Sequence, residues 1–232
     1  MVILKARLLS IRELAPGVRH FEFELPELPK FGFVPGQFMS LTETIGEDDI
    51  TRAYSLASPP SGNRLALCLN EVEGGRFSPH LFSLKPGDEI SCQGPYGAFI
   101  FKRPVSDSIL VATGTGIAPF RSMLLDRLPV DSEHRFTLIF GVRHEHGLLY
   151  RGDWESLGRE YPNFDFRPTL TRPGPEWKGR TGRVQGHVLE ALGDRRDVDI
   201  YICGLKEMVN DVRALLKEQG VDRKRIVYEK YD

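Results

Sequence analysis

The strongest constraint in this sequence is a change of hydrophobic period close to Lys102-Arg103-Pro104. From Val2 to about Phe101 the apolar stretches are short, and they alternate or run continuously. "VRHFEFEL" presents Val18, Phe21, Phe23 and Leu25; "QFMSLT", "LALCLNEV" and "DEISCQG" follow in the same style. Turn signals at Ala15-Pro16-Gly17, Pro35-Gly36, Pro59-Pro60-Ser61-Gly62 and Lys85-Pro86-Gly87-Asp88 separate them. Regularly spaced strands of this kind predict a closed or nearly closed antiparallel β-barrel over residues 1–102. One short helix is expected at "SPHLFSL", with Ser78 as N-cap and Pro79 at the first helical position.

Residues 103–232 alternate strands with helices instead. "SILVATG" leads to a helix from about Pro119 to Leu128, and "RFTLIFGV" to another around Trp154 to Glu160. "FDFRPTL", the helix "VQGHVLEAL", the strand "VDIYICG" and the helix "KEMVNDVRALLKEQG" follow, and "RIVYEKY" is a closing strand. Met208, Val209, Val212, Leu215 and Leu216 repeat close to every 3.6 residues, and Gly220 is placed to stop the helix. This alternation predicts an α/β domain with a parallel sheet, whose ligands bind at the carboxyl ends of the strands.

Composition narrows the function classes. A net charge of −1 argues against nucleic acid or an anionic membrane as the main partner. No apolar run reaches the length of a membrane span, and Lys5 and Arg7 interrupt the apolar N-terminus, so a cytoplasmic protein is expected. Cys68, Cys92 and Cys203 are too few and too scattered for a disulfide framework or a Cys₄ metal site, and any iron-sulfur cluster must come from another protein. His144-Glu145-His146 has no further ligands predictable nearby, and no metal is expected there.

Within the second half, "ILVATGTGIAPF" runs from a buried strand through Thr-Gly-Thr-Gly into a helix. Glycines there let backbone N–H groups approach a phosphate, and the helix N-terminus adds partial positive charge. A P-loop would need Gly-Lys-Ser/Thr, where Ile117-Ala118-Pro119 stands; the dinucleotide fingerprint would need a third glycine, where Pro119 stands. The loop alone therefore indicates an anion and does not choose between nucleotides.

Three further stretches bear on that choice. "RAYSLAS" (Arg52 to Ser58), "GGRFS" (Gly74 to Ser78) and "YICG" (Tyr201 to Gly204), taken with "GTGIAP", resemble in order and spacing the ferredoxin-NADP reductase superfamily across essentially the whole chain. The resemblance implies that Arg52 pairs with a flavin phosphate, that Tyr54 stacks on the isoalloxazine and that Ser55, with Ala53 in the same motif, lies near N5. Gly74, Gly75, Arg76, Phe77 and Ser78 would form the second flavin phosphate site, with FAD as the cofactor. Thr113, Gly114, Thr115, Gly116 and Pro119 match the pyrophosphate loop for NADP(H), and Cys203 and Gly204 the motif beside the nicotinamide. At the C-terminus Glu229 and Tyr231 reproduce the spacing of a glutamate and a flavin-stacking tyrosine, but Asp232 follows, so the aromatic is penultimate. The catalytic candidates are Ser55, Cys203, Glu229 and Tyr231.

The same resemblance assigns Arg143, Arg172 and Arg183 to the adenosine 2′-phosphate, in a region with no acidic residue at the strand end. Planar guanidinium forks suit that dianion, whereas a carboxylate would suit a bare ribose. The implied activity is hydride exchange with NADP(H) and single-electron exchange with a ferredoxin or flavodoxin. The alternatives are an NADH-dependent reductase component serving an oxygenase or cytochrome, and a flavin-bearing electron-transfer subunit of a larger complex.

Overall fold

Alternation in the first hundred residues becomes alternation of burial. In the computed structural model, which describes residues 2–231, β1 (Leu4–Ala15) buries Leu4, Ala6 and Leu8 while Lys5 and Arg7 face water. It is followed by β2 (Val18–Glu24), β3 (Phe38–Ile45), β4 (Asp48–Ser55), β5 (Arg64–Asn70), α1 (Phe77–Ser83) and β6 (Glu89–Tyr96). The six strands pair antiparallel in the order β4-β3-β6-β1-β2-β5. A bridge between Leu56 and Leu67, and a 2.7 Å bond from the Ala57 N–H to the Ala66 carbonyl, tie the end of β4 to β5. The sheet thereby curls towards closure around Phe21, Phe23, Leu25, Met39 and Leu41, with Phe77 and Leu81 of α1 in the same core.

In the second half β7 (Ser108–Thr113) is buried from Ser108 to Ala112, as expected of a central parallel strand covered on both faces. A 3₁₀ turn at Gly114–Gly116 leads into α2 (Ile117–Arg127). Then come β8 (Phe136–Val142), α3 (Arg151–Glu160), β9 (Phe164–Leu170), β10 (Arg180–Thr181), α4 (Val184–Leu192), β11 (Asp199–Leu205), α5 (Lys206–Glu218) and β12 (Ile226–Tyr231). The order β10-β9-β8-β7-β11-β12 is parallel throughout and reverses direction between β7 and β11. A crevice for ligands is expected at the carboxyl ends of those two strands. α5 buries Met208, Val209, Val212 and Leu216, the stripe its sequence period predicts. At the amino end of β11 the buried Asp199 carboxylate is compensated by Lys102 Nζ at 2.7 Å, Ser106 Oγ at 2.7 Å and Arg225 at 3.2 Å.

Three helix starts differ from expectation. α1 begins at Phe77 with Arg76 as N-cap, so Ser78 is not the cap; its hydroxyl instead accepts from the Val72 N–H at 2.8 Å. α2 and α3 start before Pro119 and Trp154, at Ile117 and Arg151, because helical turns form ahead of the first periodic apolar residue. The chain divides into two compact units, Met1–Ile100 with Ala118–Asp126, and Phe101–Ile117 with Arg127–Asp232. Within the first unit, Arg121 donates to the Ala57 carbonyl at 2.7 Å and Ser122 to that of Ser58 at 2.6 Å.

The first unit also buries His20, only 4% exposed. Burial, with the Arg121 and Arg12 charges acting in the same direction and Glu22 opposing, lowers its pKa to about 4. The unfolded chain takes up a proton below about 6.5, which folded His20 refuses until about 4, so stability falls as pH falls through that window. Urea unfolding should show a loss of about 2 kcal/mol between pH 7 and pH 5 attributable to His20. His20→Gln should flatten that part of the profile, and an unchanged slope would show that His20 does not set it.

Candidate functional site

Apart from Pro119, which belongs to the first unit, the expected site residues fall into two groups, one in each unit. In the first, β4 carries Arg52, Ala53, Tyr54 and Ser55, held in register by β3 through the pairs Leu41 with Arg52 and Met39 with Tyr54. Ser55 is buried, Tyr54 half-buried, and Arg52 and Ala53 are exposed. Arg52 donates to the neighbouring Thr51 carbonyl at 2.8 Å and, among the described residues, has no carboxylate partner. Arg76, by contrast, is committed to Asp48 at 2.6 Å and to the Ile45 carbonyl. An exposed guanidinium left without a counter-charge beside a paired one suits a phosphate.

Tyr54 and Phe77 stack, with centroids 6.2 Å apart and an interplanar angle of 22°, which ties β4 to the start of α1. Burial pushes the Tyr54 phenol up to about 12, so it stays protonated. Between β5 and α1 the chain folds tightly: Gly75 N–H donates to the Val72 carbonyl at 2.9 Å, and a Cβ on Gly75 would lie the same 2.9 Å from that oxygen. A pocket of about 400 Å³ lies beside this loop, lined by Gly17, Glu71, Val72, Glu73, Gly74 and Pro79. Gly74 thus presents open main chain to the pocket, Gly75 is packed against Val72, and Phe77 and Ser78 are buried at the start of α1.

The second cluster stands at the carboxyl ends of β7 and β11. Thr113 ends β7, and Gly114, Thr115 and Gly116 make the 3₁₀ turn, with Pro119 in the first turn of α2. Gly116 packs directly on the end of β11: a Cβ there would lie 2.7 Å from Gly204 Cα and inside the Cys203 carbonyl. A Cβ on Gly204 would lie 2.9 Å from the Thr113 carbonyl oxygen. Thr113 Oγ1 is buried at this junction without a hydrogen-bond partner among the described residues. Such close backbone approach beside an orphaned hydroxyl is the kind of cradle into which a ligand's polar group fits.

Cys203 is fully buried on β11, opposite Ala112 on one side and Glu229 of β12 on the other. Burial, reinforced by the Glu229 charge and opposed by a hydrogen bond from Tyr231, holds its thiol well above the ordinary range. The thiol is therefore neutral, able to pack and not to act as a nucleophile. Tyr231 ends β12 opposite Leu205, and the expected Cys203, Glu229 and Tyr231 come together at one sheet end. Asp232 lies outside the described residues.

Arg143, Arg172 and Arg183 follow the ends of β8, β9 and β10, three neighbouring strands. The Arg172 N–H donates to the Arg143 carbonyl at 2.8 Å, so two of them are main-chain neighbours. All three are exposed and, among the described residues, none has a carboxylate partner, whereas Arg151, Arg167 and Arg180 are each paired with a glutamate or aspartate. Sequence reading passed over Gly141, although a glycine inside the strand "FTLIFGV" is the signal of close approach. Its missing side chain makes room for Val184, the first residue of α4, beside Thr113 and Thr169.

Residues 5–101 match a family described as an oxidoreductase FAD-binding domain and residues 110–214 one described as an oxidoreductase NAD-binding domain. The chain is 40% identical to ferredoxin–NADP reductase B of Sorangium cellulosum, over 98% of this chain and 97% of that protein. It is 31% identical to the toluate 1,2-dioxygenase electron transfer component of Pseudomonas putida, over 98% of this chain and 67% of that protein. Among solved structures, a cytochrome P450 reductase of Amycolatopsis superposes with a TM-score of 0.89 at 27% identity, covering 99% of this chain and 69% of that one.

The contact between Gly116 and β11 can be tested against an ordinary glycine. Gly116→Val should destabilise the protein by about 3 kcal/mol, because backbone on both sides must move, while Gly174→Ala, with open space at its Cβ, should stay within about 0.5 kcal/mol. Denaturant titration of the two variants measures both. Equal effects would mean that the turn accommodates a side chain.

Proposed function

Because the chain belongs to the ferredoxin–NADP reductase superfamily, we propose that it is a flavin-dependent oxidoreductase exchanging a hydride with NADP(H) and single electrons with a ferredoxin or flavodoxin. The choice of NADP(H) rests on one observation: three exposed, unpaired arginines at adjacent strand ends, with no acidic residue among the strand-end positions. A dianionic 2′-phosphate supplies the counter-charge that the protein itself withholds.

FAD, when bound, supplies the capacity to take two electrons from a nicotinamide and to release them one at a time. The chain's own residues do the rest. Arg52, which has no carboxylate partner among the described residues, offers its guanidinium to a flavin phosphate, and the main chain at Gly74, with open space where a side chain would stand, faces a second one. Tyr54 presents an aromatic face and stays protonated at any working pH. Ser55 is buried in the strand that carries both, and its hydroxyl is the hydrogen-bonding group for the reactive edge of the ring. In the other unit the Thr113 to Gly116 turn takes the pyrophosphate, and the neutral thiol of Cys203 with Gly204 forms a wall for the nicotinamide. Glu229 and Tyr231, adjacent to Cys203, control hydrogen bonding there.

Reductase components of oxygenases are the second reading, represented by the Pseudomonas putida relative, of which the chain spans 67%. The reductase matched over 97% of its own length favours the first reading. The protein is proposed to act in the cytoplasm; no helix among the described residues is long and apolar enough to cross a membrane.

Anaerobic reduction with NADPH and with NADH, followed by ferredoxin and flavodoxin as acceptors, tests the proposal. A clear preference for NADPH is expected, and equal kcat/KM for the two nucleotides would overturn it. Arg172→Glu should raise KM for NADPH by about ten- to a hundredfold while leaving NADH nearly untouched, since a charged hydrogen bond contributes roughly 1.5–3 kcal/mol. Arg52→Ala should weaken FAD retention by a similar factor, read from flavin fluorescence on dilution; unchanged retention would remove Arg52 from the flavin site.

A further inference from the structure

The turn that carries Arg183 is held from beneath by side chains that the proposed function leaves unused. β10 has only two residues and pairs only with Thr169 and Leu170 at the end of β9, too little to fix itself. Gly182 follows with φ +98°, and because glycine has the most backbone freedom to lose, the turn keeps this conformation only where its peptide groups are tied. They are tied on every side. The Gly182 N–H donates to the Leu170 carbonyl at 2.9 Å, and the Gly182 carbonyl accepts from Thr169 Oγ1 at 2.9 Å.

The preceding carbonyl, that of Thr181, lies 3.0 Å from His187 Nε2 on the first turns of α4. A carbonyl only accepts, so Nε2 carries the ring proton. The fully buried Thr169 has given its own proton to Gly182, so its Oγ1 accepts from the same Nε2–H, also at 3.0 Å. On the far side of the ring, Nδ1 lies 3.7 Å from Glu190, which holds Arg180 at 2.5 Å. Glu190 thus occupies Arg180 and leaves Arg183 as the unpaired guanidinium of this turn. Gly141 admits Val184 against β8 and so fixes the residue that follows Arg183.

The geometry points to His187 as the positioning residue of the nucleotide-selecting turn: through Thr169 and the Thr181 carbonyl it fixes the backbone on which Arg183 stands, and thereby the preference for an adenosine 2′-phosphate. This rests on the NADP(H) reading above. A guanidinium contributes to selection only where its backbone is held in advance, because a loose glycine turn must be ordered by the ligand itself.

The test uses the full-length FAD-loaded protein and two probes, 2′-phospho-AMP and 5′-AMP, titrated by calorimetry. The unmodified protein should favour 2′-phospho-AMP. His187→Phe, which keeps the ring and removes the donor, should lose about tenfold in affinity for 2′-phospho-AMP while 5′-AMP stays within about twofold, the scale expected when a supporting hydrogen bond is removed. His187→Gln, which restores an N–H donor, should recover most of the loss. Thr169→Val, with Thr169→Ser as its conservative counterpart, reads the same clamp should His187→Phe not fold. If the unmodified protein discriminates and neither His187→Phe nor Thr169→Val alters the ratio, the positioning role is overturned and the NADP(H) reading stands. If the unmodified protein does not discriminate, both are overturned.

Discussion

Main chain meets main chain, with no side chain between them, where the Thr113 to Gly116 turn rests on Cys203 and Gly204. Gly116 approaches β11 so closely that a single methyl group would collide with two residues of backbone, and Gly204 makes the reciprocal approach to Thr113. The parallel pairing of β7 with β11, Ala112 opposite Cys203, brings the two loops to the same level. The strand order reverses at this pair, the place where a ligand crevice is expected.

Charge follows a second rule, visible in what is left unpaired. Buried Asp199 is surrounded by Lys102, Ser106 and Arg225, and buried Asp131 by Arg127 and His134; both serve the framework. Arg76 and Arg180 are likewise neutralised within the protein. Among the described residues Arg52, Arg143, Arg172 and Arg183 have no carboxylate partner, and all four are exposed at positions where an anionic ligand is proposed to bind. Each unit therefore compensates its structural charges internally and leaves positive groups exposed where anionic phosphate is proposed to bind.

Much of this was legible because it is local. The motif "RAYS" needs only a strand to turn Ser55 inward and Arg52 outward, and β4 does so. "GTGIAP" needs only a strand end and a helix start. Local grammar failed at helix beginnings: Ser78 resembles a cap by residue type, yet its hydroxyl is taken by Val72, a partner contributed by the fold of the preceding loop. It failed again for Gly141, whose purpose lies in a helix more than forty residues further on, and for Thr169 and His187, ordinary polar residues until the turn between them is seen.

The sequence by itself determined the two architectures, the order of their strands and helices, and the residue types available to each site. Period and glycine placement are properties of the chain, so no packing knowledge was needed to read them. Only the tertiary structure decided which charges remain free and which loops touch. Whether an arginine is a ligand-binding group or half of an ion pair depends on carboxylates far away in the chain, as Glu190 shows for Arg180. Whether a cysteine is reactive depends on burial and on the strands to either side, as Cys203 shows between Ala112 and Glu229. Those are long-range facts, and hydrophobic pattern carries no information about them.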